Sequence, residues 1–186
     1  ATTISSGTNP YKLGSPPDFG TLYSGRALEF DGVTDYVNCG TGIDLGTGDF
    51  TISAWVNASQ WASANIVYKK DDPSNRWYFG SDGSDLLTFW SKKSGAVKIY
   101  ATGGTTLTSY EGTWIKVVVS ADRDSSIKLY INGVLDGTGS ANTDSIDNAG
   151  DMVIGLDGSG GGTFFDGKIT NVQIWDKAWS LSDVQY

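Results

Sequence analysis

The acidic residues constrain the architecture before any pattern is sought: 19 are Asp and only two, Glu29 and Glu111, are Glu. Glu favours helices, whereas Asp competes for backbone hydrogen bonds and belongs to turns and caps. A chain so skewed is helix-poor and turn-rich. Its 25 Gly among 186 residues are about twice the usual share of roughly 7%. With aromatics at 12%, these glycines punctuate a packed fold and do not mark disorder. One domain of many short strands is expected, since a single core usually serves about 100–200 residues.

Segments rich in β-branched and aromatic residues, bounded by Gly, Asp, Asn and Ser, recur along the chain. They are Ala27–Phe30, Tyr36–Asn38, Phe50–Val56, Asn65–Tyr68, Trp77–Gly80, Leu86–Trp90, Ala96–Tyr100, Trp114–Ser120, Ile127–Ile131, Met152–Ile154 and Lys168–Trp175. Successive strand side chains point to opposite faces. In FTISAWV this sets Phe50, Ile52, Ala54 and Val56 on one face and turns Trp55 away from them. In KITNVQIW it groups Ile169 with Asn171 and Gln173, and puts Val172 and Ile174 opposite. Asn132-Gly133 between two apolar runs predicts a hairpin with a type I′ turn, which needs positive φ at both central residues. Ser180-Leu181-Ser182-Asp183 is a variant capping box opening a short helix toward Tyr186. Residues 1–25 are polar, hold three of the four prolines and lack a period, and read as an extended arm or linker. The expected fold of residues 26–186 is all-β, a two-sheet antiparallel jelly-roll sandwich with one short C-terminal helix.

Composition also excludes functions. A net charge of −8 disfavours nucleic acid and anionic membrane surfaces as partners. No stretch approaches the ~18 apolar residues of a membrane span, so no membrane insertion is expected. Without His, the chain has no His-based acid/base chemistry, no triad with a His base and no His-containing zinc site. The single Cys39 allows no internal disulfide and reads as a small buried hydrophobe. The chain begins at Ala1, which suggests a processed chain or a module of a larger parent whose other domains are its partners.

The run ALEFDGVTDYVNCG, then DFTISAWVNAS, then GTWIKVVVSADRDSSIKLYINGVL, then MVIGLDGSGGGTFFDGKITNVQIWDKAWSLSDV, resembles the laminin-G-like jelly rolls of the concanavalin A-like lectin/glucanase superfamily. The order of the pieces carries the likeness over about residues 27–186. The C-terminal pattern also resembles the pentraxins, although Lys116–Ala121 holds only the serine of their H-x-C-x-S-W signature. The resemblance implies two antiparallel sheets, one convex and one concave, with ligands on the concave face or the rim loops. The superfamily's glucanases carry E-x-D-x-x-E within one strand. Glu29 and Glu111 cannot form it, and the chain is expected not to be an enzyme.

Two constellations then come forward. Calcium takes six to eight oxygens from acidic loops. Loops matching those of pentraxin-like domains supply Asp71, Asp72, Asn75 and Asp157, with Asp31, Asp35 and Asp166 as the alternative set. Solvated turn carboxylates are the plain alternative for both. A glycan or polysaccharide is the second candidate, because aromatic faces pack on the C–H faces of sugar rings. Trp61, Trp90, Trp77, Tyr78 and Tyr100 are the candidate platforms, with Trp179 also available. Trp61 leads because its loop, NASQWASAN, is polar. Lys92 and Lys93 after Trp90 would suit an acidic glycan, or serve as solvated edge protection. The expected role is a carbohydrate-binding or adhesion module at an extracellular, cell or virion surface. The alternatives are a structural or assembly domain of a surface or phage protein and, last, a glycan-active enzyme.

Overall fold

Every segment expected to be a strand is one, and most run further at their polar ends. The computed structural model describes residues 27–61, 63–156 and 163–185. The expected arm over residues 1–25 therefore lies outside the described residues. The strands are β1 (Leu28–Asp31), β2 (Val37–Asn38), β3 (Phe50–Ala58), β4 (Asn65–Asp72), β5 (Asn75–Ser81), β6 (Leu86–Lys93), β7 (Ala96–Thr106), β8 (Ile115–Asp122), β9 (Ser126–Ile131), β10 (Val134–Ser140), β11 (Asp151–Ile154) and β12 (Asp166–Trp175). One short helix, α1 (Leu181–Val184), follows β12. Ser180 accepts from the Asp183 N–H and Asp183 accepts from the Ser180 N–H, which is the expected capping box.

Antiparallel pairing joins the strands in the order β1-β12-β3-β8-β9-β10-β7-β6-β5-β4-β11-β2. The sheet curls so that its halves face one another as the layers of a jelly-roll sandwich. Phe50 of β3 meets Phe89 of β6 across the interior at 5.1 Å between ring centroids. Phe50, Ile52, Ala54 and Val56 all join the buried cluster that both halves share, as alternation predicted. The β9–β10 turn has positive φ at Asn132 and Gly133, as its type I′ geometry demands. Gly155 has φ +81°, and a Cβ there would sit 2.5 Å from the Phe30 ring, so the end of β11 closes on β1 only with glycine.

Three expectations are corrected. Strict alternation in β12 fails because a β-bulge sits between Thr170 and Gln173. Asn171, at φ +52°, absorbs the extra residue. Ile169 and Val172, three positions apart, can then both serve the core. Cys39 is exposed and not buried, although partial desolvation raises its thiol pKa. Trp61 is buried despite its polar loop, because Phe165, distant in sequence, packs against it edge-on at 6.3 Å.

The end of the sandwich is closed by loops that have no ladder partners. Lys69, wholly buried, donates to Thr41 O at 3.0 Å, Ile43 O at 2.5 Å and Asp44 Oδ1 at 2.7 Å. Removing the ammonium orphans these acceptors at the edge of the core. Lys69→Met is expected to lower unfolding free energy by about 2–4 kcal/mol. Urea titration should show this as a lower midpoint at unchanged slope.

Candidate functional site

The meander β4–β7 builds an aromatic row on the outer face of its layer. Tyr68 pairs with Tyr78, Tyr78 with Trp90, and Trp90 with Tyr100 in one continuous register. Directly opposed residues share a face, so these four side chains stand outward in line. Trp77, Phe79, Phe89 and Ile99, one step along each strand, stand inward and are buried. The Tyr78 and Trp90 rings stack at 5.8 Å and 28°. Exposure rises along the row: Tyr68 is buried, Tyr78 and Trp90 are half-buried, and Tyr100 is 50% exposed.

A second row runs beside it, with Lys70 opposite Arg76 and Arg76 opposite Lys92. The Arg76 guanidinium lies over the Trp90 ring, 5.2 Å from its centroid. It makes no hydrogen bond or ion pair with the described residues, and its Nε is buried without an acceptor. Lys92 also lacks an ion pair among the described residues. Lys93 turns away and donates to Asp147 O. Arg76 and Lys92 thus stand without an ion pair among the described residues, on one face of a chain whose net charge is −8.

Of the candidate platforms, Tyr78, Trp90 and Tyr100 come together. Trp61 and Trp77 do not. Both belong to the core, at 1% and 0% exposure, and Trp77 stacks on Phe89 at 6.2 Å. Adjacent strand residues cannot share a face, so Trp77 and Tyr78 could never have acted together. Tyr68 was not anticipated in the row, nor were Trp114 and Trp175 as surface aromatics on the opposite layer. Finding them required cross-strand register, which local pattern does not contain.

The acidic loops are largely committed to their own backbone. Asp72 Oδ1 accepts from the Ser74 N–H at 2.5 Å, and its Oδ2 from Asn75 Nδ2 at 2.8 Å. Asn75 Oδ1 accepts from the Ser94 N–H at 3.0 Å. Asp157 lies outside the described residues. In the alternative set, Asp31 and Asp166 do stand opposite each other in register. Asp31 Oδ1, however, accepts from the N–H groups of Val33, Thr34 and Asp35 at 2.9, 2.7 and 3.0 Å, and Oδ2 accepts from the Thr34 hydroxyl at 2.9 Å. These bonds favour the ionised form and hold the Asp31 carboxyl far below the usual range. Among the described residues no three of Cys, Asp and Glu are grouped to hold a metal ion. Asp31 and Asp72 thus act as caps of their own turns.

A family model described as the concanavalin A-like lectin/glucanases superfamily, of laminin G type, matches residues 31–185. No curated protein matches the chain. Domain 4 of AbnA, a GH43 extracellular arabinanase from Geobacillus stearothermophilus solved in complex with arabinotriose, superposes with a TM-score of 0.69 at 22% identity, over 86% of this chain and 74% of that one. A heptameric SAP-like pentraxin from Limulus polyphemus gives 0.61 at 18% identity, over 84% and 78%. Mouse laminin α1 domains LG4-5 give 0.64 at 15% identity, over 84% of this chain and 42% of that one. At these identities the likeness is one of fold.

The capping role makes a pH prediction. Hydrogen bonds lower the carboxyl pKa of Asp31, Asp72 and Asp183, while a Lys98 hydrogen bond and charge lower that of Asp144. A folded-state pKa below the unfolded value, about 3.9, gives stability that is present above it and lost as the pH falls. The melting temperature should stay level from neutral pH to about 5 and fall below about 4. Asp31→Ala should melt lower at pH 7 and lose less on acidification, as followed by circular dichroism.

Proposed function

Because the chain belongs to the concanavalin A-like lectin/glucanases superfamily, we propose that it is a non-catalytic carbohydrate-binding module holding an acidic glycan on the β4–β7 face. The observation that carries this reading is the aromatic row ending in exposed Tyr100 with the uncommitted Arg76 guanidinium lying over Trp90. Aromatic rings offer flat apolar faces for the C–H side of a sugar ring. A guanidinium offers a planar fork of donors that matches a carboxylate in two parallel bonds. Sugar rings would lie against Tyr100 and the open part of Trp90, with a uronate or sialate carboxylate on Arg76 and Lys92 beside it. The strands hold these groups rigidly, so little ordering is left to oppose binding.

The arabinanase domain solved with arabinotriose supports sugar binding as the general role. That domain belongs to an extracellular enzyme, and the laminin pair to a longer chain, which supports a module of a larger protein working outside the cell or at a surface. The non-catalytic reading rests on the lack of any His and of the E-x-D-x-x-E motif. Glu29 is exposed on β1 beside Lys168, and Glu111 is exposed next to Gly112. Calcium has no part in the reading, since Asp31 and Asp72 are engaged by their own loops.

An array of paired neutral and uronate-bearing glycans tests the proposal. Tyr100→Ala and Trp90→Ala should weaken binding by about 1–3 kcal/mol while the fold persists. Arg76→Gln should remove the preference for the carboxylate and flatten the salt dependence, leaving the neutral analogues unaffected. EDTA in place of millimolar calcium should change neither binding nor melting temperature. Sugar release from polysaccharides by the purified protein would overturn the non-catalytic reading, and a blank array would favour a structural or assembly role.

A further inference from the structure

The opposite face of the sandwich carries a groove of about 780 Å³, formed over β3, β8 and β12, the segment after β12, and α1. Its volume falls within the ~300–1,000 Å³ usual for ligand pockets. Four of the seven tryptophans, Trp55, Trp114, Trp175 and Trp179, line it; none joins the main buried cluster, and only Trp179 packs on a smaller one, that of Val118, Tyr130 and Val184. Alternation in β3 turns Trp55 outward. The bulge in β12 completes the surface: it sets Thr170 opposite Trp55 and Gln173 opposite Ser53, so that two residues three apart share the outer face.

The aromatic groups are held in place by the frame. The Trp179 backbone N–H donates to Thr51 Oγ1 at 3.0 Å, and its backbone carbonyl accepts from Ser120 Oγ at 2.8 Å. Lys116 Nζ sits over the Trp179 ring, 5.5 Å from its centroid. The Trp175 ring lies 5.8 Å from that of Trp179 at 53°, forming an open V, and Trp175 is 43% exposed. Gln173 Oε1 accepts from Trp175 Nε1 at 3.4 Å while Gln173 Nε2 donates to Asn171 Oδ1 at 3.0 Å. This arrangement orients the indole without burying it.

Charge in the groove separates it from the β4–β7 face. Lys116 donates to Val184 O at 3.0 Å, and burial lowers its pKa. Asp183 is committed to Ser180 as the helix cap. Lys177 is exposed, where water screens its charge. What remains beside the indoles is the spare capacity of three amides that are each partly engaged by the frame: the second N–H and lone pair of Gln173, Asn132 Nδ2 and Gln185 Oε1, which can donate to and accept from hydroxyls. Indole faces with amides and no uncommitted buried charge match a neutral sugar chain. We propose that this groove is a second saccharide site, independent of the first and specific for uncharged oligosaccharides.

Indole-labelled protein gives one N–H signal per tryptophan, assignable through single Trp→Phe variants. The probes are gluco-, xylo-, manno- and arabino-oligosaccharides of about three to six units, and uronate oligomers of equal length. With a neutral oligosaccharide the Trp175 and Trp179 signals should move together along one saturation curve while Trp90 stays still. Trp175→Ala should weaken that binding at least about tenfold, and Trp175→Tyr should recover most of it. Movement of Trp90 alone would overturn the second site and leave the first standing. Movement of Trp175 and Trp179 with uronates only would overturn the assignment to neutral sugars. Still signals throughout would overturn both sites.

Discussion

Two buried cations close the sandwich, and the surfaces built on its strands depend on that closure. A curled sheet satisfies its own backbone through ladders, but the loops sealing its ends leave carbonyls that need donors. Lys69 reaches from the inner face of β4 to Thr41, Ile43 and Asp44. Arg123, just beyond β8, donates to Asn142 O and Asp144 O and lies over the Phe50 ring. The two loops then meet directly, Gly46 N–H donating to Asp147 Oδ1 at 2.5 Å and Ile146 N–H to Gly46 O at 3.2 Å. Each charge is spread over several oxygens, which offsets its desolvation and ties loop to layer.

That arrangement marks what local pattern can and cannot reveal. The type I′ turn, the capping box and the inward face of β3 depend on residues within a few positions, and all three were legible in the sequence. Strand ends were harder, because KKDD after Tyr68 and KK after Ser91 look like loop yet continue their ladders. Lys69 sits on an inner face where hydrophobicity would never place it, since its acceptors lie on a loop some 25 positions earlier.

The candidate sites divide along the same line. Trp61 misled because burial of a loop aromatic is decided by its neighbour, and Phe165 is a hundred positions away. Trp77 and Trp90 look alike in composition, and their fates differ because register with Phe89 and Tyr78 turns one in and the other out. The aspartates illustrate the converse. Asp31 and Asp72 find their partners within four residues, so the turn reading available from Asp-Gly and Asp-Asp-Pro is the one that the geometry of their hydrogen bonds supports.

A sandwich stabilised from within leaves both outer faces open to other chemistry. The β4–β7 face pairs aromatic rings with the Arg76 guanidinium, and the groove beside α1 pairs indoles with amides. The packed layers lie about 10 Å apart, and the two surfaces point away from each other. One short oligosaccharide cannot reach both. Occupation of both sites would therefore join separate chains, or two regions of one long polymer, and the gain would be avidity within a matrix and not tighter binding of a single ligand. Since the two surfaces differ in charge, a polymer that filled both proposed sites would carry neutral and acidic segments together.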